Sequence, residues 1–481
     1  VRIGLLGQTF GSGAQSIYVG GRTDQVLKNM LDQKMITNSQ YEQALIDART
    51  IVFSPVRDTI RAPHFVLWIE QQVQALFGLT DEEITQAGLQ ITTTLDWNLQ
   101  KKAEMIVADH KQDLLKRFSA YNAALLSVFV DTREVAAYVG NTDYNDTMHE
   151  GKIDMVRAPR QPGSSFKPFV YAAAFEKGYG PGSVVYDVET KFGENRPQNY
   201  GGDFWGLMTM RSALAGSRNI PAIKAFFLAG GEETVLSMAN KLGVVTPTTK
   251  RTIERKKNPE YEYGYPLAIG SAETPLSEMV TAYSVFAGNG MKMPLTTLLK
   301  VTDRYGNILP LPEKAKPEGV LDPRVAAEIT SVLSDASVRP NDYWKSILSV
   351  PGMSTAAKTG TSNKCLEYDK NKNCARRLPE SAWTIGYTPN LVTGVWVGNA
   401  TSAPLAEKAD GLTTAAPLWR DYMIAAHTVL TKKSSVFSQP AGLSQPLLSK
   451  LSGDLASACT PIHLRQADLI MSEFTPTSED A

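Results

Sequence analysis

The chain has 481 residues, 43% of them hydrophobic and 20% charged, the balance of an ordinary globular protein and not of a disordered or fibrous one. That length exceeds what one hydrophobic core usually supports, so at least two domains are expected. Lys plus Arg and Asp plus Glu are equal at 49 each, which argues against a nucleic-acid footprint, normally a strong basic excess.

Residues 21–50 read as two short helices, with Val26, Leu27, Met30 and Leu31 at helical spacing and Thr37 or Asn38 capping the second. Pro55 and Pro63 break that pattern. The segment 88–94, GLQITTT, is β-branched and strand-like, and the sequence turns helical again from Leu99. Near Asn122 a larger domain begins. ALLSVFVD and REVAAYVG are two strand patterns with a turn around 131–133, an expected antiparallel pair. Far downstream, 354–361, SAWTIGYTPN and LVTGVWVGNA supply three more strands, with Pro389 and Asn390 at the last turn. The long stretch between the strand groups is mostly helical in pattern, including 164–177, 221–228 and 277–286. Strands at both ends with helices between them predict an α+β domain, one antiparallel sheet covered by helices. After about Val429 the chain is rich in Ser, Pro and Lys and reads as a tail or small appendage. The start, VRIGLLGQTFGSGAQ, fits no element.

No apolar run reaches the roughly 18 residues that span a bilayer, and the opening at Val1 lacks the charged start and apolar stretch of an export signal. The chain therefore reads as a fragment or processed form, with any membrane anchor expected upstream. Cys365, Cys374 and Cys459 are too few for a disulfide scaffold. Cys365 and Cys374 bracket a Lys- and Asn-rich stretch that looks like an exposed loop. They would close it in an oxidising compartment, leaving Cys459 over; two unpaired thiols is the equal alternative. Five scattered histidines show no metal-ligand spacing, so no metal is expected.

Three short motifs carry chemistry together: Ser164-Ser165-Phe166-Lys167, Ser217-Arg218-Asn219, and Lys358-Thr359-Gly360 followed by Thr361. Singly each has a bland reading: an N-cap serine with a solvated lysine, a capping loop, an edge-strand bulge. Their order and local settings make the case. Ser164 follows Gln161-Pro162-Gly163 and opens a helix, where backbone N–H groups are unpaired. Lys167 lies one turn on, on the same face. A serine hydroxyl needs a neighbouring base to become a nucleophile, and a lysine serves only if burial and nearby positive charge lower its pKa. Lys358 would supply that charge. Ser217 and Asn219 sit in a loop between helical stretches that can aim both into a cleft. Gly360 has no side chain, so a substrate backbone could approach its strand closely.

This trio is the signature of penicillin-binding proteins and class A β-lactamases, and the wider wording resembles class A penicillin-binding proteins, the bifunctional peptidoglycan synthases. The likeness runs through RQPGSSFKPFVYAAAFEKG, MRSALAGSRNIPAIK, LAIGSAETPLSEMVTAYSVFAGNG, AAKTGTS and IGYTPNLVTGVWVGN, and includes the connector RAPHFVLWIEQQV and GLQITTTLDWNLQKKAE. The resemblance implies a penicillin-binding transpeptidase or serine β-lactamase-like domain, a five-stranded antiparallel sheet covered by helices, plus a small linker domain. It divides the chain into 1–60 (the last helices of a glycosyltransferase domain and a connector), 61–120 (linker), 121–430 (transpeptidase) and 431–481 (tail or appendage).

The resemblance also implies roles. Ser164 would attack the carbonyl between the two terminal D-alanines of a peptidoglycan stem peptide and form an acyl-enzyme, with Lys167 as its general base. Ser217 would relay a proton to the departing amine, and Asn219 would hold the peptide amide. Lys358, Thr359 and Thr361, with Gly360 beside them, would bind the substrate and its carboxylate. The N–H groups of Ser164 and Thr361 would form the oxyanion hole. No cofactor is expected. The implied ligands are D-Ala-D-Ala stem peptides and β-lactams, the expected partners other cell-wall synthesis proteins, and the compartment the outer, periplasmic face of the cytoplasmic membrane. The family's catalytic glutamate and membrane helix are not visible here, and the stretch KCLEYDKNKNCARRLPES is longer than the family's usual turn. Two alternatives stand beside transpeptidation. One is hydrolysis by the same machinery, for which Glu189 and Glu194 are the nearest candidate carboxylates without the expected Glu-x-x-x-Asn spacing. The other is a non-catalytic β-lactam sensor or wall-binding module.

Overall fold

The computed structural model describes residues 8–10, 17–50, 60–370, 374–430 and 436–480. The chain divides into two compact units, 1–60 and 61–481. In the first, strands Gln8–Phe10 and Ile17–Val19 pair antiparallel, followed by helices Arg22–Asp32 and Asn38–Thr50. Thr37 caps the second helix: its Oγ accepts from Gln40 N at 3.3 Å while its own N–H donates to Gln40 Oε1 at 2.9 Å, a reciprocal pair that satisfies two helix-end donors.

The second unit is built on a five-stranded sheet. Its strands are β1 (Asn122–Phe129), β2 (Val135–Val139), β3 (Ala356–Tyr368), β4 (Cys374–Tyr387) and β5 (Leu391–Gly398). They lie in the order β3-β4-β5-β1-β2, and every neighbouring pair is antiparallel. Side chains alternate between the two faces of a strand, and here both faces are covered, so β1 reads as a continuous apolar run. On one face Ala124, Leu126 and Val128 join a core with Phe169, Val280 and Ile329 from helices. On the other, Ala123 and Leu125 meet Leu99, Ala103 and Val107 of helix Trp97–Phe118 and Trp419 of helix Ala416–Leu430. Asp96 caps the first of these, accepting from Asn98 N at 2.8 Å and Leu99 N at 3.1 Å.

The helical layer that positions the site contains α1 (Lys167–Phe175), α2 (Met210–Ala215), α3 (Asn219–Ala229) and α4 (Pro323–Ser334). Between the strand groups the chain is less purely helical than its pattern suggests. Val184–Asp187 and Gly206–Thr209 form a hairpin, and Leu298–Thr302 pairs with both Gln90–Thr93 and Ile308–Leu309. At the far end of the β3–β4 pair, β3 reaches Tyr368 and β4 starts at Cys374, and Cys365 and Cys374 are disulfide-bonded with their Cα atoms 5.7 Å apart, inside the usual bridging range. Cys459 is exposed and free. Residues 436–480 carry short strand pairs, Leu443–Ser444 with Ile470–Met471 and Leu447–Ser449 with Arg465–Ala467.

Candidate active site

Ser164 lies not in the first α-turn but in a 3₁₀ turn, Gly163–Phe166, that feeds directly into α1. Four hydrogen bonds fasten this turn. Ser165 Oγ donates to Pro162 O at 2.7 Å, Tyr283 OH to Ser165 O at 2.6 Å, Trp383 Nε1 to Gln161 O at 2.9 Å, and Gly163 N to Gly270 O at 3.2 Å. Gly163 has φ +55°, a region that favours glycine. It also lies flat against β3: a Cβ there would stand 2.2 Å from Thr361 O and 2.8 Å from Thr361 N.

Strand β3 is the edge of the sheet, and Lys358, Thr359, Gly360 and Thr361 follow one another along it. Gly360 works differently from the sequence expectation. A Cβ on it would meet Pro162 O at 2.1 Å and Ser165 N at 2.9 Å, so the backbone that approaches closely is the chain's own Ser164-bearing turn. Thr361 Oγ1 accepts from Gly411 N at 3.1 Å; Thr359 is buried.

Ser217 occupies the loop between α2 and α3 at φ +56°, a strained backbone for a residue with a Cβ and the kind of outlier that gathers at functional sites. Two lysines converge on it. Lys358 Nζ donates to Ser217 Oγ at 2.7 Å and to Thr359 O at 2.9 Å. Lys167 Nζ donates to Ser217 O, to Asn219 Oδ1 at 2.8 Å and to Ser217 Oγ at 3.5 Å. Among the described residues no hydrogen bond joins Ser164 Oγ to Lys167 Nζ. Lys167 is fully buried and Lys358 2% exposed. Burial, with the nearby Lys358 and Arg218 cations, holds the Lys167 ammonium well below the usual lysine range, while Asp187 pulls it the other way. Burial pushes Lys358 down to about 7. Both shifts favour the neutral amine, the form a lysine base requires.

Asn219 is committed within the protein: Oδ1 accepts from Lys167, and Nδ2 donates to Gln198 O at 2.8 Å. Around it is a polar network that sequence reasoning missed. Asp187 accepts from Arg218 Nε at 2.7 Å and from Asn199 Nδ2 at 2.7 Å, and Asn199 Oδ1 accepts from Asn219 N at 2.8 Å. Arg218 lay in plain view between Ser217 and Asn219, and its placement beside two motif residues was the available signal. Glu189 and Glu194 are surface groups, paired with Arg196 and Lys191 and 55% and 93% exposed. The arrangement brings two buried amines together on the Ser217 hydroxyl and packs the turn that bears Ser164 against the edge strand that carries Lys358.

Comparisons with known proteins identify the family and the fold. Residues 126–423 match the family described as the penicillin binding protein transpeptidase domain. Among curated relatives, penicillin-binding protein 1A of Rickettsia typhi is 26% identical over 437 residues, 88% of this chain and 52% of that protein. Penicillin-binding protein 2D of Bacillus subtilis is 27% identical over 444 residues, 88% of this chain and 57% of that protein. The chain thus spans about half the length of the curated relatives it matches. Among solved structures, penicillin-binding protein 1A of Haemophilus influenzae superposes with a TM-score of 0.73 at 21% identity, covering 96% of this chain and 83% of that one. PonA1 of Mycobacterium tuberculosis in complex with penicillin V superposes with a TM-score of 0.65 at 24% identity, covering 81% of this chain and 97% of that one.

Proposed function

Because the chain belongs to the penicillin-binding protein transpeptidase family and corresponds to the transpeptidase portion of a class A member, we propose that it cross-links peptidoglycan stem peptides through an acyl-enzyme on Ser164. The observation that carries this reading is the convergence of Lys167 and Lys358 on Ser217, beside the turn that bears Ser164.

In the proposed reaction Lys167, neutral, takes the Ser164 proton as Oγ attacks the carbonyl carbon of the penultimate D-alanine. The developing oxyanion is received by the N–H groups of Ser164 and Thr361, donors of a kind each worth about 10²–10³-fold in rate. The C–N bond breaks, and Ser217 passes a proton from Lys167 to the departing D-alanine amine. Lys358, charged, holds the terminal carboxylate with Thr359 and Thr361. The amine of a second stem peptide then attacks the ester, its proton leaves through the same groups, and Ser164 is regenerated as the cross-link forms. Glu189 and Glu194, exposed and paired with Arg196 and Lys191, lack the buried setting that would make either a base for a deacylating water, which favours transfer over hydrolysis. β-Lactams would acylate the same serine. The reading places the domain outside the cytoplasmic membrane, anchored there and working beside other cell-wall synthesis proteins.

The test is labelling with a fluorescent penicillin in wild type, Ser164→Ala and Lys167→Ala, followed by turnover of a D-Ala-D-Ala peptide with and without an acceptor amine. Label that vanishes with Ser164→Ala, and transfer product that rises with the amine, is the expected result. No label on folded wild type would sink the acyl-enzyme; release of free acid unaffected by the amine would make the protein a hydrolase.

A further inference from the structure

The strand Val184–Asp187 ends on a carboxylate that is fully buried, and its two oxygens reach the loop that carries Ser217 directly through Arg218 and indirectly through Asn199. Oδ2 accepts from Arg218 Nε at 2.7 Å and from Trp205 N at 3.1 Å. Oδ1 accepts from Asn199 Nδ2 at 2.7 Å. Asn199 in turn takes the N–H of Asn219 at 2.8 Å and of Ile220 at 3.3 Å, so the first two donors of α3 are held by one side chain. Asn219 Oδ1 then receives Lys167 Nζ at 2.8 Å. An unbroken chain of hydrogen bonds therefore runs from Asp187 through Asn199 and Asn219 to Lys167. Arg218 closes the other side. Its Nη1 donates to Asp203 Oδ1 at 3.0 Å, and its guanidinium lies over the Trp205 ring at 4.2 Å.

We propose that Asp187 and Arg218 are a positioning pair that fixes the Ser217–Asn219 loop and thereby the place and charge of the Lys167 amine. The inference rests on the acyl-transfer reading only for its catalytic consequence; the geometry stands without it. A buried ion pair is weak evidence for net stability, because desolvation offsets the attraction. A pair joined to two motif residues is better explained by what it orders. Ser217 at positive φ needs such bracing, because the surrounding structure must hold a strained residue in place.

The pair also straddles Lys167 electrostatically. The charged and titratable groups around Lys167 are Lys358 on β3, Arg218 in the loop before α3 and Asp187. Around Asp187 lie Tyr171 on α1 and Lys224 on α3, with Asp203 on the outer side of Arg218. Removing the Asp187 charge takes away the influence that favours ammonium, so Lys167 loses its proton at lower pH. Removing the Arg218 charge does the reverse.

The experiment uses the whole chain with two readouts. Penicillin acylation rate against pH reports activity, and the pH titration of Lys167 in ¹³C-lysine-labelled protein reports the amine directly. In Asp187→Asn the acylation plateau is expected to fall by about ten- to a hundredfold, the loss typical of a small misplacement near a reacting group, and the acid limb and the Lys167 titration both move to lower pH. In Arg218→Gln both move to higher pH. A merely structural role would reduce the amount of folded protein and leave the midpoints in place, which would overturn the proposal. If Asp187→Asn does not fold, Arg218→Gln decides by the same criterion. A wild type without penicillin label but with the opposed Lys167 shifts would refute the acyl-enzyme and uphold the pair.

Discussion

Lys358 Nζ stands 2.7 Å from Ser217 Oγ, and Lys167 Nζ reaches the same oxygen at 3.5 Å. Two buried amines on one hydroxyl repel when both are charged, so they titrate as a coupled pair. The proposed chemistry asks opposite things of them: Lys167 neutral to take a proton, and Lys358 charged to receive a carboxylate. The second-order acylation rate should therefore be bell-shaped in pH, rising as Lys167 deprotonates and falling above about 7 as Lys358 does. Lys358→Met removes the alkaline limb. It also moves the acid limb to higher pH, because the charge that depresses Lys167 is gone. A stopped-flow pH series with a chromogenic β-lactam checks this; an acid limb unmoved in Lys358→Met would show that the two amines are not coupled.

Gly163 and Gly360 hold the Ser164-bearing turn against the edge strand, and each lacks room for a single carbon. Gly360→Ala would place Cβ 2.1 Å from Pro162 O, and Gly163→Ala 2.2 Å from Thr361 O. Since backbone must move to relieve either clash, the cost is about 1–3 kcal/mol. At Gly163 the positive φ adds strain, on the order of 1–3 kcal/mol. Both variants should lose most penicillin labelling and unfold at lower temperature, Gly163→Ala more so. Full labelling of Gly360→Ala would mean that the turn and strand need not touch for the site to work.

The three motifs were legible because each is local: a turn and a helix start, a loop between helices, a strand. The central sheet was legible because β-branched and aromatic runs such as 391–398 announce strands wherever they pair. What the sequence concealed is non-local. Gln90–Thr93 finds its partner in Leu298–Thr302, and no periodicity reports a pairing across so much chain. Asp187 carries no local signal in the sequence; its value lies in Arg218 and Asn199, which reach it only after folding. Gly360 shows a subtler limit. Its missing side chain was evident, but which backbone fills the space depends on Pro162 lying over β3. Whether Cys365 and Cys374 pair was open in the sequence, because it depends on how β3 and β4 lie across from one another.

The C-terminal segment is tied to the helix that precedes Ser217. Arg211 on α2, 4% exposed, makes a two-pronged ion pair with Asp468, 1% exposed, and also donates to Asp335 Oδ2 at 3.2 Å and Ser331 Oγ at 2.9 Å. Breaking one side of such a pair strands a buried charge and costs about 3–5 kcal/mol. Asp468→Ala should therefore lower the unfolding midpoint sharply. Replacing both, as Arg211→Met with Asp468→Leu, should recover most of the loss, since apolar residues of similar size serve as well there. Thermal unfolding of the two singles and the double checks it. A double variant as unstable as either single would show that the pair contributes more than mutual neutralisation.

Glu328 on α4 sets a pH limit on the same region. It is fully buried, its Oε1 accepts from Met471 N at 3.1 Å, and its Oε2 has no partner among the described residues. Burial pushes its carboxyl up to about 8, with Asp468 and Asp322 adding to the effect and Arg324 opposing it. An unfolded glutamate loses its proton near pH ~4.3, so between there and about 8 the native state binds a proton that the unfolded chain has released. The sign follows: stability contributed by Glu328 is full below the unfolded value and is lost as pH rises toward 8. Glu328→Gln keeps an acceptor for Met471 N and removes the titration, so its stability should be flatter from pH 5 to 8. Hydrogen exchange at the Met471 amide is the local probe. In wild type it should quicken toward pH 8 beyond the ordinary base-catalysed increase, as an ionised Glu328 faces Asp468 across the contact; in Glu328→Gln that excess should disappear. Equal excess in both proteins would place the proton elsewhere and free Glu328 of any part in the pH dependence.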